Sequence, residues 1–202
     1  AFYHIKNDLT LAHEIGLSDD EYLIYTDYFG LMDMYCNILA DRYKGQLIVD
    51  NAQALFANHI EGTYSFYSPR KFVGVPDGGI AYSNKNVNAI IPKSFSYDKC
   101  MHLLKRHDLM PIDGYDDFKD SSHKIAISPM SLMSNLTHRM LSSINFTSVK
   151  DIRKSNFTYL HRFLADSNGL HIPSINSFAC PMVYPYYTDD PTLRYRLIDN
   201  KV

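Results

Sequence analysis

Three short segments of the chain carry side chains that could bind a ligand or react with one: residues 50–53 (DNAQ), 65–71 (SFYSPRK) and 74–79 (GVPDGG). They offer a carboxylate beside an amide, then hydroxyls beside a lysine amine, then a turn rich in glycine. Each also has an ordinary structural alternative, because a carboxylate at a strand end is commonly solvated and Pro-Asp-Gly-Gly is commonly only a turn. The choice between a ligand-binding role and a structural role therefore depends on the strands and helices that position the three segments.

A strand–helix–strand pattern leads into the first segment. Residues 21–26 (EYLIYT) predict a buried strand, and apolar residues at helical spacing predict an amphipathic helix over 31–43, ended by Gly45. Residues 46–49 (QLIV) predict the next strand, which makes a right-handed βαβ unit with parallel strands. Asp50 then stands at a carboxyl strand end, where sheets of this kind place ligands.

The remaining pattern completes an α/β fold. We predict further short strands at 2–5, 63–67 and 79–83, a strand-like segment at 179–187, helices near 97–107, after Ser128-Pro129, from Ser148 and at 192–199, and an irregular polar stretch over 108–122. Ser128 would cap its helix, with Pro129 in the first turn. The prediction is a mostly parallel sheet flanked by helices in a larger portion, 1–125, followed by part of a smaller α+β lobe, 126–202.

The composition argues against several classes of function. Lys and Arg number 20 and Asp and Glu 22, for a formal net charge of −2, so we expect neither nucleic acid nor an anionic membrane as a partner. Cys36, Cys100 and Cys180 lie far apart without metal-site spacing, which indicates reduced thiols in a cytoplasmic protein and no bound metal. No apolar run approaches the ~20 residues needed to cross a bilayer.

The order of the three segments resembles the DegT/DnrJ/StrS-type sugar aminotransferases, which have the aspartate aminotransferase (type I) fold. The matching motifs are IVDNAQA (48–54), YSFYSPRK (64–71) and PDGG (76–79). Two looser matches are FYHIKNDL (2–9), similar to the strand that opens the family's large-domain half, and TSVKDIRKSNFTYLHRFL (147–164), similar to a family helix. The resemblance is specific over 45–83 and loose after residue 84.

The resemblance implies pyridoxal 5'-phosphate (PLP) as the cofactor. By this likeness Asp50 would keep the pyridine nitrogen of the cofactor protonated, and Gln53 would lie against its ring or phenolic oxygen. Ser65 or Ser68 would help to hold the phosphate. Lys71 would form the Schiff base and carry protons.

The spacing departs from the family pattern at the lysine. The family lysine comes five residues after the strand serine, and counting from Ser65 that position is Arg70, whose guanidinium cannot form a Schiff base. Lys71 instead follows Ser68 as Ser-x-x-Lys, a spacing seen elsewhere in the wider fold. Either a local bulge brings Lys71 to the cofactor, or the site is altered.

Three functional hypotheses follow from these patterns. The first is a PLP-dependent aminotransferase that acts on a nucleotide-linked keto-sugar with a donor such as glutamate. The second is a catalytically altered or inactive homologue that serves as a binding or regulatory module, and the third is a structural α/β domain whose matches are coincidental. The family is usually homodimeric, so we expect self-association. Family chains are also longer, so we expect a fragment of a longer protein or a shortened homologue.

Overall fold

A computed structural model describes residues 1–85 and 90–200, and within them the chain forms an α/β fold around a four-stranded, mostly parallel open sheet. The strands are β1 (Leu23–Thr26), β2 (Leu47–Asn51), β3 (Tyr64–Tyr67) and β4 (Ile80–Tyr82). They lie in the order β1-β2-β3-β4, with β1, β2 and β3 parallel and β4 antiparallel to β3. The predicted βαβ unit is confirmed, since helix α1 (Asp33–Tyr43) connects β1 to β2.

One face of the sheet packs against α1 and forms the main core. Alternate strand residues point to this face, as the period of two requires, and Tyr25, Leu47 and Val49 there are almost completely buried. The core cluster comprises Leu9, Leu11, Leu23, Tyr25, Met32, Cys36, Leu39, Ala40, Tyr43, Leu47 and Val49. Helix α1 therefore covers this face of the sheet.

The opposite face of the sheet is much more open. Ile24 is 53% exposed and Phe66 39% exposed, although both are apolar residues inside strands. Asp50 lies on this face, because it pairs in register with Thr26 on one side and Phe66 on the other. The side chain of Asp50 is therefore partly accessible.

Helices dominate the second half of the chain. Their bounds are α2 (Met101–Asp108), α3 (Tyr115–Ile127), α4 (Asn135–Ser143), α5 (Phe146–Leu164) and α6 (Leu193–Asp199). The long helix α5 returns to the sheet portion, where Phe157 packs with Leu31 and Phe178 in a second buried cluster. Its first residue, Phe146, also meets the ring of Phe56 edge-on at 6.1 Å.

The strand predicted at residues 2–5 is wrong. Only an isolated bridge between Ile5 and Leu11 forms there, and the side chain of Phe2 is fully exposed. The strand-like prediction for 179–187 is also wrong, because that segment has an irregular backbone. It contains Pro181 and Pro185, which lack the N–H needed for a sheet ladder.

The irregular stretch predicted over 108–122 is wrong as well, since α3 begins within it. Charged residues stabilise this helix, with Lys119 paired to Asp116 and Lys124 paired to Asp120 along its exposed side. Few of its residues are apolar and Ser121 is its one buried residue, so the polar composition concealed the helix in the sequence.

The prediction that Ser128 caps a helix is wrong too. The Ser128 hydroxyl donates to the Lys124 carbonyl at the end of α3, at 2.6 Å, and residues 129–133 form no helix. The next helix, α4, is capped by Ser134, whose side chain accepts from the Thr137 N–H. The Ser-Pro pair at 128–129 therefore does not start a helix. The helix begins after Ser134, whose oxygen accepts from the N–H of the third helical residue.

Among the described residues, no helix combines the length and apolar character required to cross a membrane.

Candidate functional site

Asp50 presents one carboxylate oxygen at the carboxyl end of β2. Its Oδ1 accepts a hydrogen bond from the Ala52 N–H at 2.9 Å, which fixes the side chain beside the turn that follows the strand. Among the described residues its Oδ2 meets only the Thr26 hydroxyl, at the long distance of 3.5 Å. Asp50 therefore retains an oxygen that can accept a donor from a ligand.

Gln53 is held in place by an unusual turn. Its Oε1 accepts from the Phe29 N–H at 3.0 Å, and Phe29 has a positive φ of 60°. Gly30 follows with φ 70°, and a Cβ there would lie 2.8 Å from the Gln53 carbonyl oxygen and 2.6 Å from that of Cys180. The close approach requires glycine at residue 30. The amide Nε2 of Gln53 donates to no residue of 1–85 or 90–200, so it can donate to a ligand.

Ser65 points to the other face of the sheet from Asp50. It pairs in register with Val49, it is 2% exposed, and its Oγ lies 2.8 Å from Nδ1 of His59. The His59 ring in turn stacks on Tyr82, with 4.6 Å between ring centroids. The hydroxyl of Ser65 therefore contacts His59 in a buried position and lies on the opposite face of the sheet from the Asp50 side chain.

The segment after β3 sends its two basic side chains to different places. Pro69–Lys71 forms a single 3-10 turn, in which the Lys71 N–H bonds the Ser68 carbonyl at 3.4 Å. The Arg70 guanidinium reaches α3, where it donates to the Ser122 hydroxyl at 3.1 Å and lies 5.7 Å from the Phe118 ring centroid. Lys71 is exposed, and its amine bonds to none of the residues that the structure describes.

Asp77 of the PDGG turn anchors the helical half of the chain. This carboxylate is 6% exposed and accepts from the hydroxyls of Ser96, at 2.6 Å, and Thr137, and from the Lys99 amine at 3.5 Å. Nothing in the sequence singled out these partners, because they lie 19 to 60 residues away along the chain. The turn is thus a structural junction in addition to a candidate ligand loop.

A cavity of about 420 Å³ opens beside this turn. Its lining joins the end of the Ser68 turn to the segment before α4, and it consists of Ser68, Arg70, Asp77, Gly78, Gly79, Ser94, Lys99, Ile125, Ser128, Pro129, Met130, Ser131, Leu132 and Met133. Of the predicted site residues, the cavity brings in Ser68, whereas Asp50, Gln53, Ser65 and Lys71 do not line it.

A pair of acids that sequence reasoning missed lies behind the sheet edge. Asp27 is completely buried, and its Oδ1 accepts from the Met32 N–H at 2.8 Å, near the start of α1. Burial, followed by the neighbouring Asp33 carboxyl, raises the pKa of Asp27 well above its ordinary value. Asp33 accepts from the Ala179 N–H at 2.5 Å. The pair therefore links β1, α1 and the C-terminal segment.

The donor set at the carboxyl edge fits PLP in part. Asp50 has a carboxylate oxygen available for a pyridinium, Gln53 has an amide donor available for a phenolic oxygen, and Lys71 has an accessible amine. Of the two serines, Ser68 lines the cavity and is partly accessible, whereas Ser65 is buried on the opposite face of the sheet from Asp50.

We compared the chain with protein-family models, with curated proteins and with solved structures, and none of the three comparisons finds a match.

Proposed function

We propose that this chain is a PLP-dependent aminotransferase-like protein of the DegT/DnrJ/StrS type, with a nucleotide-linked keto-sugar as acceptor and an amino acid such as glutamate as donor. One observation carries the proposal. Asp50 at the end of β2 keeps a carboxylate oxygen without a close partner among the described residues, and Lys71 follows β3, the adjacent parallel strand. Parallel neighbours end at the same edge of a sheet, where such folds bind ligands, and this supports a site that includes both groups.

The residues have distinct roles in this proposal. Bound PLP supplies an electron sink for the carbon that loses a proton. Asp50 would accept a hydrogen bond from the protonated pyridine nitrogen, and Gln53 would donate to the phenolic oxygen through its amide. Lys71 would hold the cofactor through its amine and carry protons, and Ser68 would donate to the phosphate. The covalent role requires an amine, which Arg70 does not have.

The decisive experiment is covalent capture of the cofactor. The protein is mixed with PLP and reduced with borohydride, and peptide mapping then locates the modified lysine. We expect modification at Lys71 and its loss in Lys71→Ala. Lys6→Ala is the matched control, because Lys6 is also an exposed lysine with no hydrogen bond from its amine among the described residues. Capture that is unchanged in Lys71→Ala would contradict the assignment.

A second candidate function is favoured by the direction of Arg70. Counted from Ser65, Arg70 holds the family's lysine position. Arg70 is also a lining residue of the cavity beside the Gly78-Gly79 turn, whereas Lys71 is not. This supports an altered homologue that binds a ligand on the same scaffold without amino transfer. Ligand binding with no covalent capture at any lysine would select this alternative, whereas turnover of glutamate would exclude it.

Self-association is part of the first proposal. The face of the sheet that carries Asp50 exposes Tyr22, Ile24 and Phe66 to 44%, 53% and 39%. A cluster of apolar side chains on a sheet face is normally covered, which supports a second copy of the chain as the cover. Sedimentation equilibrium would test this, and Ile24→Lys should shift the distribution towards monomer.

A further inference from the structure

The cavity beside the Gly78-Gly79 turn contains one positive charge without a counterion in its lining. Arg70 and Lys99 are the cations of that lining and Asp77 is its only acid. Lys99 and Asp77 pair with each other at 3.5 Å, with side chains 9% and 8% exposed, and so neutralise one another. Arg70 forms no ion pair with any residue of 1–85 or 90–200.

The position of Arg70 is fixed by α3. One Nη donates to the Ser122 hydroxyl, and the Phe118 ring lies beside the guanidinium. A guanidinium has five N–H donors in a planar fork, so most of them remain for a ligand. Burial lowers the pKa of Arg70, while the Asp77 charge opposes this change. An unpaired cation that has lost part of its water is costly, and an anion relieves that cost.

The rest of the lining adds hydroxyl donors and apolar surface. Ser68, Ser94 and Ser131 line the cavity, and the Lys99 amine, which reaches Ser94 at 3.5 Å, adds further polar character. Met130 and Leu132 belong to the same lining and are largely exposed. Hydroxyls and a guanidinium are the usual donors to oxyanions, and a volume of about 420 Å³ is in the range of small-molecule sites.

We propose that this cavity binds the oxyanionic group of a small molecule, a phosphate or a carboxylate, with Arg70 as the cation that holds it. The inference depends on the charge balance of the cavity. It shares Ser68 with the phosphate role proposed above, but the cation that holds the anion, Arg70, has no part in PLP binding at Asp50 and Lys71. Anion binding would explain why the Arg70 side chain is held against α3, whereas the neighbouring Lys71 is exposed. The apolar residues at the mouth would then contact the remainder of the ligand.

Calorimetric titration of the PLP-free protein tests the proposal, with inorganic phosphate in one arm and glutamate in the other. Saturable binding of either is expected, and the arm that binds identifies the source of the oxyanion. Arg70→Gln removes the charge, so affinity should fall about tenfold or more, and Arg70→Lys should restore part of it. Arg162→Gln, at an exposed arginine on α5, is the matched control and should bind as the original protein does.

A second variant covers the case in which Arg70→Gln does not fold. Ser131 is exposed, lies outside the helices and lines the cavity, so Ser131→Tyr should keep the native circular dichroism spectrum while obstructing the site. Loss of binding in this variant supports the site. The proposal is overturned if the original protein binds neither probe, or if a folded Arg70→Gln and Ser131→Tyr both bind as tightly as the original. PLP capture at Lys71 is independent of these outcomes, so the two proposals can fail separately.

Discussion

Arg153 of α5 lies over the ring of Phe72, the residue that directly follows Lys71, with 4.8 Å between the guanidinium carbon and the ring centroid. The same guanidinium donates to the Phe72 carbonyl at 3.0 Å and to the Met182 carbonyl at 2.8 Å. A single side chain thus holds the turn that carries Arg70 and Lys71 against the helix and the C-terminal segment.

We predict that Arg153→Ala destabilises the protein by about 2–3 kcal/mol, because it removes two charge-assisted hydrogen bonds and a cation–π contact. Arg153→Lys should recover only part of this, since an ammonium cannot reproduce the planar fork. Urea unfolding measures the change. Arg162→Ala on the exposed side of the same helix is the control and should leave the midpoint in place; an equal loss in both variants would mean that the contact is not specific.

Asp77 should be among the most sensitive acids in the chain. Asp77→Ala leaves Lys99 buried without its partner and deprives two hydroxyls of their acceptor, so we expect a loss of about 3–5 kcal/mol in the free energy of unfolding. Asp116→Ala, which breaks an ion pair on the exposed surface of α3, should change stability little. Similar urea midpoints for the two variants would contradict the anchoring role of Asp77.

The buried acid Asp27 should make stability depend on pH. Its native pKa is raised, so the folded protein binds this proton more tightly than the unfolded chain does. This contribution to stability is complete at pH below the ordinary carboxyl range and is lost as the pH rises through the raised native pKa.

Asp27→Asn should remove that pH dependence and stabilise the protein at neutral pH by about 1 kcal/mol. An asparagine at this position can still accept from the Met32 N–H and can donate to the buried Asp33 oxygen that now has no partner among the described residues. Urea midpoints across a pH series, for this variant and for the exposed control Asp151→Asn, measure the effect. Parallel curves for Asp27→Asn and the original protein would refute it.

Gly30 should not tolerate a side chain. Gly30→Ala places a Cβ 2.6 Å and 2.8 Å from two carbonyl oxygens at a φ of 70°, so we expect a loss of about 1–3 kcal/mol in stability. Because one of those carbonyls belongs to Gln53, PLP affinity should fall as well. Gly16→Ala is the control, since nothing lies within 4 Å of the added methyl. Equal thermal stability of the two variants would show that the turn can relax.

Local pattern predicted the sheet portion well. Residues 21–26, 31–43 and 46–49 combined the apolar period of each element with a clear stop signal, and the structure confirms β1, α1 and β2 in parallel order. The helix α3 is polar on average and has few apolar residues, so a search for apolar runs did not identify it, and salt bridges along its exposed side help to stabilise it. In 179–187 the apolar and aromatic residues favoured a strand, but two prolines interrupt the ladder that a strand would need.

The candidate site also combines features that the sequence predicts with features that depend on tertiary packing. The sequence by itself determined the α/β class, the position of Asp50 at a strand end and the chemistry available to Gln53, Ser68 and Lys71, because these depend on local periodicity and residue type. Only the tertiary structure decided that Ser65 faces His59, that Arg70 turns to α3, and that Asp77 binds Ser96, Lys99 and Thr137. Contacts between residues so far apart depend on how the helices pack on the sheet, which no local pattern records.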